Sequence, residues 1–262
     1  MTVSEQPIAS SLPSIFTNAD LLIDHQRVAD ALLSIEGAML LVDKEYAVSS
    51  FAVVYILRKA LSRLSGEKWI KVGHSGTLDP LATGLVILGS KRCTRALTTF
   101  LGAPKEYQTE IRLGITTPCY DLEKPITVSH DLQGIAEDQV REIIMSFVGK
   151  QLQTPPIFSA VKQGGKPVYA KARKGKEIVI EPKEIEIYGI SDLKIELPYI
   201  RFTVACSKGT YIRSLAHDIG QLLGTGATLT NLRRTKIGEH SVNNAIAQQQ
   251  LYSFFPESVA HS

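Results

Sequence analysis

Residues 73–84 read Gly73-His74-Ser75-Gly76-Thr77-Leu78-Asp79-Pro80-Leu81-Ala82-Thr83-Gly84, and the rest of the chain is best understood outward from them. Three glycines, a proline and three hydroxyl residues make the stretch too irregular for a helix or a strand, and short apolar runs flank it. This pattern predicts a shaped loop held on a sheet, where functional residues concentrate. Asp79, its one carboxylate, is biased towards an extended backbone by Pro80. An isolated Asp-Pro pair more often has an Asp that only caps a turn. The composition of the whole twelve-residue stretch is what favours a functional role for Asp79.

Length, composition and charge limit the number of domains and the kinds of partner that the chain can have. The chain has 262 residues and 44% hydrophobic content, which supports one large domain or two small ones with a real core. Charge is uneven, because residues 1–36 carry five acids and one base, whereas the remainder carries 28 bases and 21 acids. A mildly basic body is compatible with a polyanionic partner, and equally with an ordinary soluble enzyme.

Several classes of protein are disfavoured. The three cysteines lie far apart and the six histidines show no ligand spacing, so the sequence predicts neither a disulfide framework nor a metal site. No apolar run approaches the ~20 residues that span a bilayer, and the N-terminus lacks the bases of a targeting peptide. We therefore expect a cytoplasmic protein with no membrane contact. Walker loops, dinucleotide fingerprints and nucleophile elbows are also missing from the sequence.

Helical and strand-like patterns mix along the chain without regular βαβ alternation. We predict an N-terminal extension over residues 1–36, with a loose tail to residue 20 and a helix over 21–35, and a single body over 37–262. Helices are predicted over 51–64, 91–101, 140–148, 212–222 (capped by Thr210) and 245–255, and strands over 39–42, 85–88, 107–113, 178–190 and 193–206. The predicted fold class is α+β, with a mixed, largely antiparallel central sheet flanked by helices.

One segment, about 151–177, interrupts this order. It contains two adjacent glycines and Tyr169, and between Lys162 and Lys176 it carries six bases and no acid. The six bases are Lys162, Lys166, Lys171, Arg173, Lys174 and Lys176. A basic, aromatic-bearing, thumb-like insertion is suited to an RNA backbone, and a merely solvated charged face is an equally good explanation of this pattern alone.

Few side chains in the sequence are candidates for catalysis. They are one carboxylate in a glycine-rich loop, an arginine that could pair with it, and tyrosines near the starts of strands and helices. A carboxylate beside a guanidinium is held ionised and can act as nucleophile or base. Tyrosines can stack on a nucleobase and exchange a proton. This set of side chains suits covalent or base chemistry on a nucleotide within RNA, whereas a glycosidase normally needs two carboxylates.

The loop resembles the catalytic loop of the TruB-type tRNA pseudouridine synthases, which isomerise the uridine at position 55 in the T-loop of tRNA. Further segments resemble later motifs of that family, in the family's order, between about Gly37 and Ile237. They are Lys105-Glu106-Tyr107, Ser159-Ala160-Val161-Lys162 with its continuation to Arg173, Cys206-Ser207-Lys208-Gly209-Thr210-Tyr211-Ile212-Arg213, and Leu232-Arg233-Arg234. Five separated motifs in one order make this a specific resemblance.

The resemblance implies a role for each matched residue. Asp79 would be the essential carboxylate, attacking or deprotonating the target nucleoside while the glycosidic bond moves from N1 to C5, and Arg213 would pair with it. The implied substrate contacts are Tyr107 stacked on the uracil, Tyr211 near the proton that leaves C5, Leu232 lining the uracil site, and His74 holding the flipped-out nucleotide. Flipping is needed because a stacked base cannot present its glycosidic bond to the enzyme. An isomerisation needs no metal or redox cofactor.

The sequence departs from the family pattern in three places. The family's Lys-Pro-x-Gly stands here as Lys44-Glu45-Tyr46-Ala47, outside the implied chemistry, and its acidic Thr-Asp motif is reduced to residues 116–121. Because the sequence ends soon after the last motif, we expect no C-terminal PUA RNA-binding domain. We therefore favour a standalone, monomeric enzyme acting on the tRNA T-arm over a guide-RNA-dependent synthase. An RNA-binding protein without catalysis is the remaining alternative.

Overall fold

The structure is a computed structural model, and it describes residues 14–158, 162–163, 166–167 and 180–254. Its helices are α1 (Asn18–Ile23), α2 (His25–Leu33), α3 (Ser50–Ser65), α4 (Leu97–Gly102), α5 (Glu137–Ser146) and α6 (Ile212–Leu223). Its strands are β1 (Ile15–Phe16), β2 (Met39–Lys44), β3 (Val72–His74), β4 (Thr83–Ser90), β5 (Lys105–Leu113), β6 (Ile115–Thr116), β7 (Val128–Ser129), β8 (Gly149–Gln153), β9 (Lys162–Gln163), β10 (Lys166–Pro167), β11 (Lys183–Glu196), β12 (Tyr199–Cys206), β13 (Ala227–Ile237), β14 (His240–Ser241) and β15 (Ile246–Ala247). Short 3-10 segments cover Lys91–Arg95, Val242–Asn244 and Gln248–Phe254.

A single large sheet organises the described residues. Its strand order is β1-β2-β4-β13-β5-β12-β11-β8, with β3 beside β4, β14 beside β13 and β15 beside β2. Most neighbours are antiparallel, whereas β1 and β15 run parallel to β2, and β4 runs parallel to β13. The predicted α+β fold with a mixed, largely antiparallel sheet is confirmed.

Strand β5 shows why the sheet has a buried and an exposed face. Its residues alternate: Tyr107, Thr109, Ile111 and Leu113 are buried, and the residues that alternate with them are partly or fully exposed. The buried face packs against the apolar side of α6, where residues such as Leu215 and Ile219 are buried. Around β2 and β4 both faces are covered, which is why those strands read as continuous apolar runs.

Helix α3 forms as its end signals predict. The Ser49 side chain accepts a hydrogen bond from the Ala52 backbone N–H, and Gly66 ends the helix in the left-handed conformation. Local capping chemistry therefore sets both ends of the helix.

The N-terminal extension differs from its prediction. The tail is not loose up to residue 20, because β1 joins the edge of the sheet and α1 begins at Asn18. The single predicted helix over 21–35 is two helices that meet at Asp24, which ends α1 and caps α2 through its side chain. Val28 and Leu32 are fully buried, so the extension packs into the main core.

Other boundaries also differ. The break predicted between the strands 178–190 and 193–206 is wrong, because β11 continues through it and ends at Glu196. The predicted helix over 91–101 is a 3-10 segment followed by α4, and that over 245–255 is β15 followed by a 3-10 segment. Thr210 does not cap α6, because its hydroxyl donates to the Ser207 carbonyl within the preceding turn. Tyr211 is the N-cap residue, without a capping side-chain hydrogen bond.

Most of the predicted insertion over 151–177 lies outside the described residues. Within them, β8 joins the sheet edge beside β11, and β9 and β10 pair with each other. None of the helices in the described ranges is long and apolar enough to cross a membrane.

Candidate active site

The loop between β3 and β4 takes its shape from two glycines. Gly76 and Gly84 have φ values of 87° and 106°, which glycine adopts without strain. A Cβ at Gly84 would lie 2.3 Å from the Arg234 carbonyl oxygen, so glycine is also required for the close approach of β13. The Arg234 guanidinium then donates to the carbonyls of Leu85 (2.7 Å) and Gly76 (3.3 Å). The loop is thus fixed to the sheet at both of its ends.

Ser50 anchors the middle of the loop. Its hydroxyl donates to the Leu78 carbonyl (2.9 Å) and accepts from the Leu78 N–H (2.8 Å), and the residue is buried. Both backbone groups next to Asp79 are therefore satisfied by one side chain. The sequence analysis did not identify this role of Ser50, because no local pattern relates it to a loop 28 residues away.

Ser50→Ala is expected to lower the free energy of unfolding by about 1–3 kcal/mol, because it leaves a buried N–H and a buried carbonyl unpaired. It should also lower the catalytic rate, because the Leu78 backbone that Ser50 holds directly precedes Asp79. Ser49→Ala is the matched control, because it removes the α3 cap at a cost of about 1 kcal/mol without touching the loop. Urea unfolding and single-turnover assays measure both effects. Equal rates for the two variants would contradict the anchoring role.

Asp79 lies against Arg213, as the resemblance implied. Arg213 Nη2 donates to Asp79 Oδ1 at 3.1 Å, and Nε lies 2.9 Å from Oδ2. The arginine side chain is 5% exposed and the aspartate side chain 34% exposed. The remaining guanidinium nitrogen donates to the carbonyls of Phe158 (3.1 Å) and Cys119 (3.3 Å). Arg213 is held in place, and the carboxylate stays accessible from one side.

A second carboxylate belongs to this group. Asp121 is buried, and its Oδ2 lies 3.7 Å from Arg213 Nε. It comes from the loop after β6, the remnant of the acidic motif, which the sequence did not include among the site residues. The only sequence signal for it was that reduced motif, Thr116–Asp121.

The ionisation of Asp79 is a balance of opposing effects. Burial raises the pKa of Asp79 above its ordinary value, and Asp121 also raises it, whereas Arg213 and Lys44 lower it. The net direction is upward. Arg213 lowers the pKa of Asp79, as expected of a paired guanidinium, but desolvation in the folded chain outweighs this effect.

A cavity of about 280 Å³ opens beside Asp79. Its walls include four of the residues that the sequence singled out: Tyr107, Tyr211, Arg213 and Leu232. Tyr107 and Leu232 are also part of the main core, so they have both a structural and a cavity-lining position. Gln153 fixes the backbone of Tyr211 by accepting from its N–H (2.8 Å) and donating to its carbonyl (3.1 Å). The cavity has mixed polar and apolar walls, and Asp79 is the one carboxylate among the described residues that line it.

Two buried lysines support the site and were not predicted to do so. Lys44 Nζ donates to the carbonyls of Glu45, Val48 and Pro80, and Lys105 Nζ donates to three carbonyls at the end of α4. Burial lowers the pKa of each lysine to about 8. The segment of Lys44 was expected to lie outside the chemistry, but it contacts the residue after Asp79.

The turn after Lys44 has an alanine, Ala47, where the family pattern has glycine. Ala47 adopts a φ of 61°, the left-handed conformation that costs a non-glycine residue about 1–2 kcal/mol. The buried Lys44, which donates to the carbonyls on both sides of this turn, compensates for that strain.

The structure gives less support to the remaining predicted site residues, His74 and the six bases of the insertion. His74 lies on β3 and is not among the residues that line the cavity in the described part of the chain, so its role stays a prediction. Burial lowers the pKa of its imidazole. Of the six bases in the insertion, Lys171, Arg173, Lys174 and Lys176 lie outside the described residues, and only the backbone of Lys162 and Lys166 is described.

Two family models match the chain. Residues 62–212 match the TruB family pseudouridylate synthase (N terminal domain), and residues 213–258 match the tRNA pseudouridylate synthase B C-terminal domain. Asp79 falls in the first match and Arg213 in the second. Because β13, from the second match, lies between β4 and β5, from the first, the two matched regions share one sheet.

Relatives of known name are similar over most of the chain. Proteins named tRNA pseudouridine synthase B from Parabacteroides distasonis and Flavobacterium johnsoniae are 43% and 45% identical to it. The first match covers 86% of this chain and 96% of the relative, and the second covers 81% and 93%.

Solved structures agree in fold. A chain in a Cbf5-Nop10-Gar1 complex superposes with a TM-score of 0.62 at 27% identity, over 87% of this chain and 58% of that chain. A chain of the archaeal box H/ACA sRNP Nop10-Cbf5 complex gives 0.60 and 26%, over 84% and 54%. This protein therefore spans less than two thirds of either of those chains.

Proposed function

The chain belongs to the TruB family of pseudouridylate synthases, and from that membership we propose that it converts the uridine at position 55, in the T-loop of tRNA, to pseudouridine. It is a pseudouridine synthase, and the names of its relatives support tRNA as the RNA that it modifies. The observation that carries the finer proposal is the accessible Asp79 carboxylate, held by Arg213 at the mouth of an aromatic-lined cavity.

In the proposed reaction, Asp79 acts on a nucleotide that has flipped out of the T-loop. The N1–C1′ bond breaks, the uracil turns within the cavity, a C5–C1′ bond forms, and the C5 proton leaves. Nothing is added or lost overall, because that proton is replaced at N1 by one from water. Asp79 serves either as the nucleophile or as the base that starts this exchange. Arg213 positions the carboxylate in both cases.

The cavity walls suit a uracil. Tyr107 offers an aromatic face for stacking, and Leu232 provides an apolar contact opposite to it in the proposed complex. Tyr211 stands at the start of α6 with its backbone fixed by Gln153, so its ring is positioned near the reacting base. A stacked base could not enter this cavity, which is the physical reason for flipping.

We propose a cytoplasmic, monomeric enzyme that needs no guide RNA, metal or redox cofactor and contacts the tRNA backbone through the basic insertion. The absence of a guide is supported by the relatives that match over 93–96% of their own length and are named as tRNA-modifying enzymes. An isomerisation involves no net redox change, so the side chains around Asp79 suffice for the chemistry.

Tritium release from an unmodified tRNA transcript that carries 5-tritiated uridine tests the proposed function. Wild-type protein should release one tritium per tRNA, and a transcript with cytidine at position 55 should release none. Release of tritium from both transcripts would place the target elsewhere. No release from the wild-type transcript, despite RNA binding, would leave only the RNA-binding alternative.

The acid limb of the pH–rate profile should respond to Asp121. Because Asp121 raises the pKa of Asp79, Asp121→Asn is expected to lower that pKa. Activity that needs an ionised Asp79 is lost as pH falls through its pKa, so the acid limb should move to lower pH. Asn keeps an oxygen for the Glu123 N–H that Asp121 now accepts, which limits structural damage.

Single-turnover rates between pH 4 and 8 measure the shift. Asp131→Asn is the control, because Asp131 is an exposed carboxylate on a nearby loop that does not contact Arg213. A limb that stays in place or moves upward in Asp121→Asn would show that Asp121 does not act on Asp79.

A further inference from the structure

A second aromatic and basic surface lies away from the catalytic cavity. Trp69 is 62% exposed and borders an open pocket of about 300 Å³. The other residues around this pocket are mostly cationic: Lys71, Lys91, Arg92 and Arg95, with Ile70 and a single acid, Glu67. We call these residues the Trp69 surface.

The charge of this surface is not neutralised within the described residues. Lys91 pairs with Glu67 at 2.6 Å and Arg92 pairs with Glu36 at 2.8 Å, whereas neither Lys71 nor Arg95 has a carboxylate partner there. The imbalance begins in the sequence, because residues 51–104 carry eight bases and two acids. Such a surface attracts a polyanion.

The ring of Trp69 is exposed and contacts Arg58. The Arg58 guanidinium lies 5.4 Å from the ring centroid and is itself fixed by donating to the Val72 carbonyl (3.1 Å). Trp69 is too exposed to be a core residue. A fixed, exposed aromatic plane is the feature that stacks an unpaired nucleobase.

The backbone of Lys91 brings the cations beside the ring. Lys91 has a φ of 44°, which is uncommon for a residue with a side chain, and its N–H donates to the Lys71 carbonyl at 2.7 Å. This turn places the 3-10 segment Lys91–Arg95 next to Trp69. Backbone conformations of this kind concentrate at functional sites.

The position of the surface separates it from the cavity. The loop of Asp79 leads into β4 at Thr83, whereas Lys71 lies beyond the other end of β4, beside Lys91. The Trp69 surface and the catalytic cavity have no lining residue in common.

We propose that the Trp69 surface is a second RNA-binding site, in which an unpaired nucleobase of the tRNA stacks on Trp69 and the adjoining phosphates contact Lys71 and Arg95. This inference rests on the proposed function, because tRNA is the polyanion that the enzyme meets. It adds a contact separate from the flipped uridine and from the basic insertion. The stacked base contributes affinity and orientation, and it takes no part in the chemistry at Asp79.

Intrinsic fluorescence provides a direct test, because Trp69 is the one tryptophan of the chain. Unmodified tRNA should quench the emission of the full-length protein, whereas a fully paired RNA duplex of equal length, bound to saturation, should not. Unchanged emission at saturating tRNA would overturn the proposal and favour a protein partner for this surface. Equal quenching by the duplex would overturn the requirement for an unpaired base.

Variants make the test quantitative. Trp69→Ala should weaken tRNA binding about tenfold, in the range of one lost base–aromatic stack, and Trp69→Phe should retain most of the affinity. Lys71→Ala should reduce the slope of log affinity against log salt by about 1. Tyr252→Ala, at a residue of similar exposure in the C-terminal 3-10 segment, is the control and should bind like wild type. Wild-type affinity in Trp69→Ala would overturn the proposal.

Catalysis separates this inference from the proposed function. At saturating tRNA, Trp69→Ala should release tritium within about twofold of the wild-type rate, because the reacting atoms do not contact the surface. A tenfold loss of that rate would assign Trp69 to the active site instead. Failure of the wild-type enzyme to release tritium would contradict the function and not the binding site, which fluorescence measures on its own.

Discussion

Asp79→Asn is expected to abolish pseudouridine formation, with tritium release at least about a thousandfold slower than in the wild-type enzyme. Asparagine preserves the size and one hydrogen-bond acceptor of the side chain, but it can act neither as a nucleophile nor as a base. Asp79 is also the one carboxylate among the described cavity-lining residues, so no neighbour in that set can replace it. Single-turnover tritium release at saturating enzyme measures the chemical step.

The loss should occur without unfolding. The ionised form of Asp79 is disfavoured by burial, and Arg213 keeps Asp121, 3.7 Å away, as a carboxylate partner, so a neutral side chain of the same shape should change the free energy of unfolding much less than removal of Arg213 does. The affinity for tRNA should also be retained. Residual activity within tenfold of wild type would show that another group performs the chemistry. A large loss of stability would make the activity result uninformative about the carboxylate, and Asp79→Glu, which restores the charge, then distinguishes chemistry from folding.

Arg213→Ala is expected to have the second largest effect, because it removes a buried cation from between two carboxylates. Loss of one partner of a buried ion pair costs about 3–5 kcal/mol, and Arg213 also satisfies the carbonyls of Cys119 and Phe158. Without the guanidinium the pKa of Asp79 should rise further, so activity near neutral pH should fall even in molecules that remain folded. Urea unfolding and tritium release measure the two effects.

The destabilisation should depend on pH with a definite sign. A carboxyl group whose pKa is raised in the folded state contributes stability below its unfolded pKa and loses that contribution as pH rises through the folded pKa. The stability deficit of Arg213→Ala should therefore be smaller near pH 4 than at pH 8. An equal deficit at both values would mean that lost packing, and not uncompensated charge, causes the effect.

A double variant tests the pairing itself. If Arg213 acts mainly through Asp79, the unfolding cost of Arg213→Ala should be smaller in the Asp79→Asn background, with an interaction energy of about 0.5–3 kcal/mol. Arg213→Lys retains the charge but loses the planar fork, so it should recover part of the stability. Strict additivity of the two single changes would argue against a direct coupling.

The folded chain brings the family motifs together around Asp79. The loop, the Lys44 turn, the acidic segment and the start of α6 are far apart in the sequence, yet they contact one another around Asp79. Ser50 and Lys44 fix the backbone on either side of the carboxylate, at Leu78 and at Pro80. The catalytic group is thus positioned by hydrogen bonds to its backbone as well as by Arg213.

Short-range sequence patterns predict much of the secondary structure. The end of α3 at Gly66, the alternation along β5 and the apolar face of α6 are set by capping, by side-chain period and by glycine, which act over a few residues. The loop at 73–84 was recognisable for the same reason, since its glycines and proline stand together. Patterns failed where backbone geometry overrides composition, as at Asp24, which splits one predicted helix into α1 and α2.

The sequence by itself determined the fold class, the family and the identity of the one loop carboxylate, because those depend on residue types at fixed short spacings. Only the tertiary structure decided that Asp121 lies beside Arg213, that Ser50 and Lys44 hold the loop, and that the pKa of Asp79 is raised. Proximity between distant segments and removal of a charged group from water arise when the sheet and helices pack. Neither quantity is present in the order of residues along the chain.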